Sequence, residues 1–350
     1  MDSKTFNSKE LEIKKRDAVI DNAKGILVLL YAFLHVMRNL RPGEGALPDL
    51  FFHSGNGINV YLPWWGFNLL DLAPIAFYFF IGFVIYPVFI GHYAKSGKSA
   101  YKRQFLKNLS ILGLFLFAMY LQNAVTGANY TWLYCAGIGF TGILLMPFLT
   151  SVFRNRGILS TALKFAAAVF MLILYSFIKE PLSGMFGAVS WYGGGAITSF
   201  GFVAVILLTA TVKDISKKGI IPYVAATAVI YILGVILTKV VGLEIDYQNF
   251  SVGYLIAAFS KMNLIFFVLY AINKYALKDK AIPLLATIGR NLLLYLTLTF
   301  LIIAGLAPFS KRLIENPIDM LYAVLITIGV LCAYIGLSAI LEKKRIIVKL

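Results

Sequence analysis

Apolar stretches recur along almost the whole chain, from about residue 25 to residue 341, separated by short polar and charged segments. Many run for 18 residues or more with few charges, roughly the length an α-helix needs to cross ~30 Å of hydrocarbon. They lack the strict apolar–polar alternation of outer-membrane strands, which excludes a barrel of that kind. The pattern predicts ten spans, at roughly 25–41, 67–90, 108–122, 132–152, 160–178, 195–212, 220–241, 252–273, 282–305 and 319–341. Gly137, Gly139 and the Gly193-Gly194-Gly195 run blur the boundaries of the fourth, fifth and sixth. No strong internal repeat or low-complexity segment interrupts the series. The expected fold is therefore an all-α polytopic membrane protein. A single membrane domain over 25–341 is flanked by an N-terminal segment, 1–24, and a basic tail, 342–350.

Composition agrees with this pattern. The 350 residues are 60% hydrophobic and only 14% charged, against about a quarter charged in soluble globular domains. The net charge of +16 could suggest nucleic acid, but its placement points elsewhere. Of the 32 Lys and Arg residues, 24 fall in the N-terminal segment, alternate connecting loops and the C-terminal tail. That asymmetry is the positive-inside rule, and with an even number of spans it puts both termini in the cytoplasm. A further reading is that some of this charge holds an anionic cytosolic ligand. The polar first 24 residues carry no expected cleavable signal peptide. Cys135 and Cys332 both fall inside predicted spans and suggest no disulfide framework.

Against this apolar background, a few polar residues stand out. Lys24-Gly25 opens the first span, and His35 lies within it, roughly 15 Å from the Lys24 end. Imidazole is the side chain best suited to accept and return a proton near neutral pH. The alternative is a histidine satisfied by a neighbouring helix. Asp71, near the outer end of the second span, is expected at similar depth, where a carboxylate would orient the ring. Lys261 and Arg290 are full charges within spans, each costing ~2.5–3.5 kcal/mol to insert. Either pairs with an acidic group or binds a substrate anion, and Asn291 beside Arg290 adds two donors and an acceptor. Arg16, Lys24, Lys102, Arg103 and Lys107 surround the basic mouth below His35, where phosphate groups would be well held. On the opposite side, Tyr61, Trp64, Trp65 and Asn68 sit in or beside the longest outer loop. Their rings are interfacial anchors first and sugar-stacking platforms second. Gly82, in the aromatic-rich second span, suits close helix packing. His92 is expected in a loop. No phosphate-cradling loop, metal-ligand spacing or dinucleotide fingerprint is present in the sequence.

These residues resemble the transmembrane acyltransferase superfamily, in particular its heparan-α-glucosaminide N-acetyltransferase branch and bacterial relatives. Arg16…Asp21-x-x-Lys24-Gly25-Ile26 is similar to the family's entry signature, with Lys24 where arginine is usual. Trp64 through Gly66, Asp71 and Phe79 to Gly82 resembles its Trp-x-Gly…Asp…Phe…Gly block. Lys102-Arg103…Gly113, Asn249-Phe250-Ser251-x-x-Tyr254 and Gly289-Arg290-Asn291-Leu292 resemble its basic loop and late motifs. Two features depart from that branch. Tyr61 stands where it carries a catalytic histidine, and its Gln-Arg motif is missing around Gly137. Lys24, ten intervening residues and His35 are instead similar to the Arg-x10-His motif of the acyltransferase-3 O-acyltransferases. His53 is a second loop histidine that could take the missing one's place.

The resemblance implies acyl transfer from cytoplasmic acetyl-CoA, or another acyl-CoA, to a cell-envelope or exopolysaccharide sugar beyond a bacterial inner membrane. In that scheme His35 is the general base and Asp71 its orienter. Arg16, Lys24, Lys102, Arg103 and Arg290 hold the CoA phosphates, and Tyr61, Trp64, Trp65, Asn68, Lys261 and Asn291 line the acceptor path. No metal is required. A transporter or flippase for an acylated or lipid-linked sugar, using Lys261, Arg290 and Asp71, is the competing expectation. A catalytically dead relative acting as a partner protein is a third, kept open by Tyr61.

Overall fold

The computed structural model describes residues 18–40, 72–126, 130–154, 157–186, 196–246, 250–315, 319–344 and 346–347. Among these the chain is helical and contains no strand. The helices, in order, are α1 (Ala18–Leu40), α2 (Ala73–Ser96), α3 (Ser99–Thr126), α4 (Tyr130–Leu144) and the single turn α5 (Ser151–Arg154). There follow α6 (Ile158–Phe186), α7 (Thr198–Ser216), α8 (Ile220–Val235), α9 (Val252–Ala271), α10 (Pro283–Arg290), α11 (Leu292–Glu315) and α12 (Met320–Lys343). Wide π-turns extend α8 over Ile236–Val240 and α9 over Ile272–Ala276.

Seven of these helices are long and apolar enough to cross a membrane: α1, α2, α6, α7, α8, α9 and α12. They mark the chain as an integral membrane protein. An eighth crossing exists if α10 and the apolar part of α11 form one span, but the two are bent by 81° where an unbroken helix over 282–305 was expected. Asn291 sits at the break with non-helical dihedrals, φ −105° and ψ 31°. Its backbone and side-chain N–H groups bond back to Thr287 O, closing the end of α10 before α11 begins. The predicted third and fourth spans correspond to α3 and α4. Lys102, Arg103, Lys107 and Asn108 make the first half of α3 polar, and α4 has only 15 residues. Two further boundaries differ from expectation. His92 lies inside the last turns of α2, not in a loop, and α1 begins at Ala18, ahead of Lys24.

Burial separates the centre from the rim. The α7 span is 72% buried, whereas α6, α8 and α12 are buried over only 28%, 17% and 22%. The outward faces of those three carry Phe177, Ile221, Leu325 and many other exposed aliphatics, as expected of surfaces facing lipid. In the centre, Tyr78 of α2 stacks on Phe202 of α7 at 3.9 Å between ring centroids. Phe79 and Phe83 interleave with Phe266 of α9 at 5.5 and 4.4 Å. The aromatic run of the second span is therefore core, and Gly82 abuts Ile206 and Thr209 as its small size suggested.

Polar residues join helices at defined points, because a backbone or side-chain polar group in hydrocarbon needs an internal partner. The buried Lys164 of α6 pairs with Asp214 of α7 while lying over the Tyr86 ring of α2. Thr299 and Tyr295 of α11 bond Tyr334 of α12. Ser251 caps α9 by accepting from Tyr254 N, and its hydroxyl donates to Glu244 O. The Asn249-Phe250-Ser251-x-x-Tyr254 stretch thus serves, over its described residues, as a helix start.

The tightest approach is between α1 and α10. A Cβ on Gly25 would fall 2.2 Å from Leu285 O, and one on Gly289 would fall 2.0 Å from Asp21 O. The pairing 21 with 289 and 25 with 285 makes the crossing antiparallel. Both glycines are needed because the two backbones touch. Gly289→Ala is expected to destabilise the protein by about 1–3 kcal/mol through overpacking. Gly336→Ala, on α12 with open space around it, is expected to leave stability unchanged or slightly raised. Thermal unfolding of both variants in detergent measures the difference.

Candidate functional site

The α1–α10 crossing gathers the polar residues at one end of the bundle. Asp21 and Asn22, both nearly fully buried, lie one turn before Gly25. Asn22 uses both ends of its amide: Nδ2 donates to Asn273 Oδ1 at 3.0 Å and Lys280 O at 3.3 Å, and Oδ1 accepts from Ile282 N at 3.0 Å. One side chain therefore ties α1 to the π-turn after α9 and to the start of α10. Asp21 Oδ2 accepts from Arg290 Nε at 3.4 Å, so the charge at 290 is paired at the cost of only a partly exposed guanidinium. Lys24 runs its stem against Gly289, with its Cβ 3.1 Å from where a Gly289 Cβ would stand.

Lys24 and Arg290, two residues expected to hold an anion, are thus neighbours across the crossing. Lys102 and Arg103 lie elsewhere, exposed on the first turns of α3. Tyr101 beside them packs on Phe89 and Tyr93 of α2. A second basic group forms there: the Arg154 guanidinium lies 3.8 Å over the Tyr93 ring. Arg16 is outside the described residues.

His35 stands on α1 above this end, half-buried. Its Nδ1 lies 3.1 Å from the carbonyl of Tyr31, and the two rings pack at 3.9 Å between centroids. A carbonyl only accepts, so in this contact Nδ1 carries hydrogen and the neutral ring has its basic lone pair on Nε2. The preceding turn of α1 thereby supplies one tautomer-fixing contact to the ring. Asp71 itself, with Tyr61, Trp64, Trp65, Asn68 and His53, lies outside the described residues.

Lys261 is buried on α9, among Ser260, Met262 and Asn263. Ser260 abuts Gly234 of α8, and Asn263 Nδ2 donates to Thr227 Oγ1 at 3.1 Å. Lys261 therefore sits on α9, next to residues that pack on α8, and not on the α1–α10 crossing that holds Arg290. Asn291 is buried and engaged in ending α10, which gives it a structural duty the sequence did not indicate.

Sequence reasoning missed Asn22, Asn273 and Thr287. Asn22 is an amide just ahead of an apolar run, a visible signal, but its partners are 251 or more positions away. Thr287 lines a cavity of about 380 Å³ with Arg290, Leu341, Glu342, Ile346 and Ile347. Among the described residues no group of three or more His, Cys, Asp or Glu side chains is placed to hold a metal.

Replacing Asn22 with Ala leaves the Ile282 amide and Lys280 carbonyl without their partner, at an expected cost of about 2–4 kcal/mol. Hydrogen exchange reads it locally: Ile282 N–H loses protection while the α7 amides keep theirs. Equal protection at Ile282 in both proteins would show that the amide bridge is not what holds this end together.

No protein-family model matches the chain and no curated protein matches it, so the chemistry of this site is read from its own residues.

Proposed function

We propose that the protein is an integral membrane acyltransferase that moves an acyl group from acyl-CoA on the basic side to a sugar on the far side. The observation that carries this reading is His35, with its Nδ1 on Tyr31 O, on the same helix whose first turns bring Lys24 beside Arg290. A proton acceptor and an anion-binding mouth then lie along one helix, roughly 15 Å apart. The motif resemblance at Lys24–His35 supports the same reading.

In the transfer the acceptor hydroxyl or amine attacks the thioester carbonyl as His35 Nε2 takes its proton. The C–S bond breaks, the acyl group stays on the acceptor, and the proton passes to the departing CoA thiolate. Positioned general bases of this kind contribute about 10²–10⁴-fold. Asp71 is assigned to steady the imidazolium. Arg16, Lys24, Lys102, Arg103 and Arg290 are assigned to CoA phosphates. Tyr61, Trp64, Trp65, Asn68, Lys261 and Asn291 are assigned to the acceptor path. The acceptor class is a cell-envelope or exopolysaccharide sugar, in a bacterial inner membrane. The proposed topology has ten crossings with both termini cytoplasmic. Counting α3, α4 and the α10–α11 pair as crossings gives that number, and the basic loops then share one side.

The 81° break between α10 and α11 favours a second reading, because transporters build substrate sites on discontinuous helices. In that case the chain carries an acylated or lipid-linked sugar, with Lys261 and Arg290 as its ligands.

Purified protein in detergent with acetyl-CoA and a candidate glycan separates the two. The acyltransferase consumes acetyl-CoA only with acceptor present, and His35→Ala lowers turnover about 100-fold or more while its helical content and Tm hold. Full activity in His35→Ala removes the assignment. Counterflow of sugar in liposomes without acetyl-CoA turnover establishes the carrier instead.

A further inference from the structure

The cavity between α10, α12 and the C-terminal segment has chemistry that packing does not account for. Thr287 is 97% buried (3% exposed), yet its hydroxyl has no hydrogen-bond partner among the described residues. A threonine inside a helix ordinarily donates to the carbonyl four residues back, as Thr299 and Thr327 do here. Thr287 does not, and it borders the cavity. An orphaned buried hydroxyl costs stability unless something fills the place of its partner.

Arg290 lies three residues on, one turn further along the same face, and also lines the cavity. Asp21 accepts from its Nε at 3.4 Å, and the two terminal nitrogens are donors toward a ligand. The remaining wall is Leu341, Ile346 and Ile347, all apolar, with the Glu342 carboxylate among them. The C-terminal segment is folded into this position by Ile346 N donating to Leu341 O at 2.9 Å and Lys344 N to Ile340 O at 3.0 Å. Lys343 and Lys344 are exposed beside it.

We propose that this cavity is a binding site for a phosphate ester whose neighbouring carbons carry a hydroxyl or an amine. Arg290 donates to the phosphate oxygens, and Thr287 joins it once its hydroxyl, enclosed in this structure, rotates into the cavity, a charge-assisted pair suited to that group. Glu342 accepts from the neighbouring hydroxyl or ammonium, and the three aliphatic side chains cover the ligand's carbon frame. Glu342 also repels a bare anion, so inorganic phosphate alone binds more weakly than an ester bearing a donor. Two sources offer this chemistry at a membrane's basic face: a phospholipid headgroup with a glycerol or ethanolamine, and the ribose phosphate of a soluble nucleotide. The nucleotide source rests on the acyl-transfer reading, in which Arg290 is assigned to a CoA phosphate; the lipid source does not, and binding is measured without turnover so that the two readings fail separately.

The test is direct binding to the full-length protein, without turnover, in nanodiscs of phosphatidylcholine. One arm titrates adenosine 3′,5′-bisphosphate. The other measures retention of phosphatidylglycerol against phosphatidylcholine by native mass spectrometry. The parent protein is expected to bind at least one of the two saturably. Thr287→Val, which keeps the shape and removes the hydroxyl, and Arg290→Gln are each expected to weaken that binding about tenfold or more. Thr287→Val serves as the variant that leaves the Asp21 contact intact, should Arg290→Gln fail to fold. Saturable binding of the nucleotide identifies the soluble source, and selective retention of phosphatidylglycerol identifies the lipid. No binding of either probe, or binding that Thr287→Val leaves unchanged, overturns the site.

Discussion

Two bare backbones in contact, α1 at Gly25 and α10 at Gly289, set the geometry of the polar cluster around Asp21, Asn22 and Arg290. In lipid no hydrophobic force drives helices together, so close packing and internal hydrogen bonds must do it. The crossing supplies both. Because the chains touch, Asp21 is near enough to pair with Arg290, Asn22 reaches across to Asn273 and the 280–282 segment, and Lys24 lies against Gly289. A side chain of any size at either glycine separates these partners together.

The same crossing explains the break in the ninth predicted span. α10 is only eight residues long and runs antiparallel to α1, so the chain must turn before it can continue as α11. Asn291 makes that turn without leaving the α10 carbonyls bare, because its own amides bond Thr287 O. α1 is then sandwiched by three separate apolar clusters. Val19, Ile20 and Ala23 enter the main core, Val28 and Ala32 pack with Ile288 and Tyr295, and Val36, Met37 and Leu40 pack with Ala323. A helix anchored along its whole length is a rigid mount for the His35 ring.

The helical membrane architecture was legible because hydropathy alone reports it, and Lys24-Gly25 and Gly289-Arg290 were legible as unusual residues. What could not be read was that the two pairs meet. Their approach joins positions more than 260 residues apart, and periodicity carries no information about such partners. The kink at Asn291 was hidden for a related reason: Leu292-Leu293-Leu294 continues the apolar run past it, so the hydropathy pattern carries straight through the break. Spacing from the span ends matched Asp71 to His35, a pairing that lies outside the described residues; the contact described at Nδ1, to the carbonyl four residues earlier on the same helix, carried no signal in hydropathy. The aromatic second span was visible as such, but not its partners, Phe202 and Phe266, which place it in the core.

The central claim is that the His35 ring handles a proton between donor and acceptor on opposite sides of the membrane. Proteoliposomes with the acceptor glycan sealed inside, the basic face outward and acetyl-labelled acetyl-CoA added only outside test this in one measurement. The account predicts that label accumulates on the enclosed glycan with the parent protein and remains at background with His35→Ala in the same orientation. Label reaching the glycan at equal rates in both preparations would contradict it.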